Sequence, residues 1–131
     1  MRTLTASLVF AGLALTTACK QPDPATALKQ RFTQLATNIC NSEPEKCVEL
    51  VDPVYVRAQG SDKVIGSFKF MVGLYKFMKV DATKVRIDDV LILPKGLTAE
   101  VRYSIQVNGE WKAQEKPTNW RLVDGQWFLQ L

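Results

Sequence analysis

The stretch Thr98–Trp111, TAEVRYSIQVNGEW, decides the fold. Ala99, Val101, Tyr103, Ile105 and Val107 alternate with Glu100, Arg102, Ser104 and Gln106. A period of two puts the first set on one face of a strand and the second on the other. Asn108-Gly109 then turns the chain, because a tight type I′ hairpin needs two residues that tolerate positive φ. The spacing predicts a half-buried strand followed by a hairpin partner, Glu110 to Lys116. One dry and one wet face indicate an antiparallel sheet covered on one side only.

The same period extends both ways. Val85 and Ile87 open an earlier strand that resumes from Val90 to Leu93, with a bulge expected at Asp88-Asp89. NWRLVDGQWFLQL, residues 119–131, predicts a last hairpin turning at Asp124-Gly125.

Upstream of Thr83 the period is helical. Asp23-Pro24 offers a carboxylate N-cap and a first-turn proline. Leu28, Phe32, Leu35 and Ile39 then form one apolar stripe, so a helix is expected to about Asn41. Ser42, Pro44 and Glu45 suggest a short second helix to Val51, ended by Asp52-Pro53. Val54 to Gln59 reads as a further helical turn stopped by Gly60. A long helix, Lys63 to Lys79, follows with Ser61 or Asp62 as its cap.

Val64, Ile65, Phe68, Met71, Val72, Tyr75 and Met78 form the main face of that helix. Phe70, Leu74 and Phe77 form a second stripe. A helix apolar on two sides must be covered on more than one. Burial of the second stripe under the first helix is the expectation. The alternative is that Phe70, Leu74 and Phe77 meet a pocket or a partner. Helices first and then a sheet of four or more strands define an α+β chain, with helices on one face of a curved antiparallel sheet.

The 131 residues suit one domain, and 47% apolar with 23% charged residues is an ordinary globular balance. Net charge is +4 and falls to +3 once Arg2 is set aside, which is too little to indicate a polyanionic partner. There is no dense basic run, zinc spacing or aromatic RNA-binding signature, so nucleic acid is not expected. With no histidine anywhere, His-dependent triads and His-ligated metal sites are excluded. No cofactor is expected.

The N-terminus has the layout of an export signal: Met1-Arg2-Thr3, an uncharged apolar run of 12 residues from Leu4 to Leu15, then Thr16-Thr17-Ala18. The run is short of the ~20 residues a membrane-spanning helix needs. LALTTAC, residues 13–19, resembles the lipobox of bacterial lipoproteins, although Thr16 stands where leucine is common. The resemblance implies a leader over residues 1–18 and a lipidated Cys19 at the mature N-terminus. Release of a soluble protein by simple cleavage after Ala18 is the alternative. Residues 19–24 become a tether of at most ~20 Å. By the sorting rule of enteric lipoproteins, Lys20 in place of aspartate favours the outer membrane, facing the periplasm.

The odd cysteine of three is thereby explained, leaving Cys40 and Cys47. A fold-back at Pro44 would bring them together as a disulfide in an oxidising compartment.

Residues 25–131 resemble the NTF2-like superfamily, in which a long helix sets against a curved sheet to make a cone. The residues that carry the resemblance are DPVYVRAQG (52–60), TAEVRYSIQV (98–107) and WRLVDGQWFL (120–129). It implies a cavity, for which Tyr55, Phe68, Tyr75, Tyr103, Trp111 and Trp120 are the candidate liners. Enzymes of that superfamily use an acid, tyrosine or histidine inside the cone. Here the nearest candidate base is Asp52, which also reads as a helix stop. The expectation is a non-enzymatic, membrane-anchored envelope lipoprotein, monomeric or weakly dimeric. It would bind a small apolar ligand or another envelope protein. The alternative is an isomerase or dehydratase of the same fold, acting on a small apolar molecule in the cone.

Overall fold

A computed structural model describes residues 22–131. The expected leader and the first half of the tether, residues 19–21 with Cys19, lie outside the described residues. The domain is α+β. Four helices, α1 (Pro24–Cys40), α2 (Pro44–Val48), α3 (Pro53–Gln59) and α4 (Ser61–Phe77), precede a five-stranded antiparallel sheet. Its strands are β1 (Val85–Ile92), β2 (Thr98–Val107), β3 (Glu110–Ala113), β4 (Thr118–Val123) and β5 (Gln126–Gln130). No described helix is long and apolar enough to cross a membrane.

Local chemistry sets the helix ends. Asp23 caps α1 by accepting a hydrogen bond from the Thr26 N–H at 3.3 Å, and Asp52 caps α3 through the Val54 N–H at 3.0 Å. The cap of α4 falls earlier than expected, at Gly60 and not at Ser61 or Asp62. Its φ of 90° lets α3 and α4 follow each other without a spacer. The second helix is also shorter than expected. It ends at Val48, because Leu50 and Asp52 hydrogen-bond across to Leu129 of β5 at 2.7 and 2.9 Å.

β2 is the spine of the sheet. β1 lies along one edge of it, with the expected irregularity between Ile87 and Asp89. On the other edge, β4 pairs with residues 98–101 and β3 with residues 104–107. The third strand stops at Ala113, short of Lys116, because the chain must leave β3 and re-enter the sheet lower down as β4. Asn108 and Asp124 take φ values of 52° and 50°, and Gly109 and Gly125 follow at 80° and 79°, as type I′ turns require.

Ala99, Trp120 and Leu129 form one row across the inner face, and all three are buried. Leu28, Phe32, Leu35 and Ile39 of α1 and Val64, Phe68, Val72 and Tyr75 of α4 close over that face. The first-helix stripe and the main stripe of the long helix are thus the two halves of one helical layer.

The second stripe does not pack. Phe70 is 69% exposed, Leu74 42% and Phe77 86%, so burial beneath α1 is overturned. α1 reaches α4 from the Phe68–Tyr75 side, and nothing among the described residues covers the opposite side. Phe70→Ala should therefore leave the melting temperature within about 3 °C of wild type, as for surface substitutions of ~0.5 kcal/mol or less. A drop of 10 °C would restore the packed reading.

The expected Cys40–Cys47 bridge is not formed. Both thiols are free. Their surroundings differ: the Cys40 thiol feels Asp81 and lies near Tyr75, whereas Cys47 lies near Glu43 and Glu45. The Cys47 Sγ donates to the Glu43 carbonyl at 3.6 Å and is fully buried, and burial pushes its pKa up to about 12. Alkylation of the native protein should mark half-buried Cys40 first and reach Cys47 only after unfolding. Peptide mass mapping reads this directly. Protection of both cysteines in denaturant without reductant would show a bridge.

Candidate functional site

Between the helical layer and the sheet lies a mainly apolar cavity of about 190 Å³, half open to solvent. α1 contributes Phe32, Leu35, Ala36 and Ile39, and α4 contributes Phe68, Met71 and Tyr75. The sheet supplies Val85, Tyr103, Thr118 and Leu129, with Pro117, Asn119, Gln130 and Leu131 completing the wall. The cavity exists because the sheet curves away from the helices. The bulge in β1 bends one edge, and the step from β3 to β4 bends the other.

Phe32 and Tyr103 pack together in its wall, with ring centroids 5.2 Å apart and planes tilted by 54°. Burial raises the pKa of both Tyr75 and Tyr103, so each hydroxyl stays neutral. The Thr118 hydroxyl is already committed: it accepts from the Trp120 indole at 2.9 Å and donates to the Val101 carbonyl at 3.3 Å. No residue of the lining is acidic or basic.

Of the six expected liners, Phe68, Tyr75 and Tyr103 are in the wall and three are elsewhere. Trp120 has no exposed surface and belongs to the solid core. Tyr55 borders an adjoining surface crevice of about 280 Å³, with Asp52, Val54 and Ala58, which shares Gln130 and Leu131 with the cavity. Trp111 lies on the outer face of the sheet, where the Arg86 guanidinium sits 4.6 Å from its ring centroid. There Arg86 also donates to Asp88 at 2.9 Å, and Ser104 donates to the same carboxylate. These contacts hold the Asp88 pKa below the usual carboxylate range and bury Ser104, which the alternation places on the wet face. Alternation assigns a face but cannot show that a bulge will fold a carboxylate back over it.

Asp52 is not available as a base. Its carboxylate accepts from Arg121 Nε at 2.7 Å and Nη2 at 2.9 Å, and from the Val54 N–H. It is only 6% exposed, and Arg121 together with that N–H holds its pKa below the usual range. The partner lies 69 residues away, a separation to which no local pattern is sensitive. The α1 residues of the wall were visible as a helical stripe, but nothing in that stripe distinguishes cavity from core.

No known family model matches the chain, and no curated protein matches it. Among the described residues, no cluster of acidic or thiol groups is arranged to hold a metal ion.

Proposed function

We propose that this chain is a lipid-anchored envelope protein whose NTF2-like cone binds one small apolar group and does not transform it. The observation that carries the reading is the cavity: about 190 Å³, mainly apolar, and with no acidic side chain in its wall. An enclosed apolar cavity of ~150 Å³ takes benzene. This half-open one, of similar size, suits a single ring or a short branched chain, and not a whole lipid. Tyr75 and Tyr103 supply the few polar groups that orient such a ligand. An isomerase would need a buried acid with a raised pKa beside the substrate. The one acid considered for that role is locked to Arg121 and lies outside the wall.

Toluene titrated into the protein tests the binding. It should bind saturably and raise the melting temperature, and Ala36→Leu, which fills the space, should abolish both effects. Absence of saturable binding would reject the proposal. The anchor is tested separately: Cys19→Ser should move the protein from the membrane to the soluble fraction. A mature protein beginning at Cys19 without acyl mass would refute it.

The exposed Phe70, Leu74 and Phe77 ridge favours a second, compatible reading, an interaction surface for another envelope component. Lys69 and Lys76 flank it, both exposed.

A further inference from the structure

We propose that the uncovered ridge of α4 is a membrane-surface contact, in which Phe70, Leu74 and Phe77 enter the interface of an anionic bilayer and Lys69 and Lys76 meet its phosphates. The proposal deepens the anchored reading and takes one thing from it, a tether of at most ~20 Å that keeps the domain beside a bilayer.

The ridge is built by spacing. An α-helix turns by about 100° per residue, so Phe70 and Phe77, seven apart on α4, stand in one row with Leu74 beside them, ~10 Å long. Val64, Phe68, Val72 and Tyr75 are buried on the other side of the helix, so the ridge points away from the core. Lys69 and Lys76 form a second row, one residue before each phenylalanine, and both are exposed. Neither is in an ion pair among the described residues. From Lys63 to Val80 the chain carries Lys63, Lys69, Lys76 and Lys79 and no carboxylate. Of the helices packed on α4, α1 and α3 contain no acid. α2 contains Glu45, between Glu43, which is tied to Lys46, and Glu49.

This charge pattern selects the occupant. Phenylalanine and leucine edged by lysine is the composition of a helix that lies in a bilayer interface, its rings among the upper acyl carbons and its ammonium groups at the headgroups. Anionic headgroups attract each lysine near the surface. A second copy of this chain is a poorer fit. A symmetric contact of the ridge with itself would gather Lys69 and Lys76 of both copies around one patch with no acid among them. The three ridge side chains together expose on the order of 400 Å², about half of the ~800 Å² that each partner of a standard protein interface buries. A tethered domain needs no larger patch, because the anchor has already brought the ridge to the surface and makes its insertion an intramolecular step.

The test is co-sedimentation with vesicles. It uses residues 19–131 with Cys19→Ser, which carries neither leader nor acyl chains, so the outcome does not depend on the anchor. The described residues 22–131 hold the whole core, and this chain keeps the fold. Vesicles of phosphatidylcholine with about 30% phosphatidylglycerol are compared with phosphatidylcholine alone. Binding should be about tenfold or more tighter to the anionic vesicles and should weaken in high salt. Lys69→Glu with Lys76→Glu should reduce it by about tenfold or more. Phe70→Ser with Phe77→Ser should do the same at an unchanged melting temperature. No sedimentation with the anionic vesicles, or undiminished sedimentation of the serine variant, would overturn the proposal. So would a concentration-dependent dimer that the same serines abolish, which would assign the ridge to a second copy.

Discussion

Trp120→Ala should lower stability by about 3–5 kcal/mol, the largest loss expected from any single truncation here. Trp120 has no exposed surface. It sits in the inner row between Ala99 on β2 and Leu129 on β5, where the helical layer closes on the sheet. Its indole N–H also satisfies the Thr118 hydroxyl. The truncation therefore opens a large void and removes a buried donor. In a domain with roughly 5–15 kcal/mol in total, that is a fall of about 10–20 °C in melting temperature. A change of only a few degrees would mean that the sheet collapses onto the void, and that the core is much softer than its burial indicates.

Asp52→Ala is expected to cost about 2–4 kcal/mol. Removing one partner of a buried ion pair leaves the other charge uncompensated, although Arg121, 36% exposed in its side chain, recovers some hydration and moderates the loss. The α3 cap goes as well, for about 1 kcal/mol. Asp52→Asn keeps a cap acceptor and should cost less. The pH dependence has a definite sign. Because the folded pKa of Asp52 is depressed, its contribution is fully present above the unfolded value near ~3.9 and is lost as pH falls through the folded one. The stability gap between wild type and Asp52→Asn should be constant near neutrality and close in acid. A gap that stayed open well below pH 3 would show that the charge is not what stabilises the pair.

How far the sequence carried the reading depends on the range of each interaction. Asp52 read as a helix stop and is in fact the cap of the next helix, whereas the alternation in β2, the two Asx-Gly turns, the β1 bulge and the cap at Asp23 are local, and all were legible. So were the two apolar stripes that form the helical layer. Not every misplacement was long-range. The two-residue Asn108-Gly109 turn sets Trp111 opposite Gln106 on the wet face, under Arg86, so its place was already written in the hairpin. Trp120 lies opposite Ala99 on the inner face and in the core. Phe70 and Phe68 are two residues apart on one helix, and which was covered depended on where α1 lies. Cys40 and Cys47 are close in sequence, but the turn at Pro44 sends them into different surroundings.

The central claim is that the space between the helical layer and the sheet is a mainly apolar pocket that takes a small apolar guest, and the most direct measurement is a crystal of the protein pressurised with xenon. Xenon enters dry apolar cavities. The account predicts an anomalous peak between Phe32, Tyr75, Tyr103 and Leu129, which disappears in Ala36→Leu. A crystal in which side chains fill that space, or in which ordered water occupies it and xenon does not bind, would contradict the account.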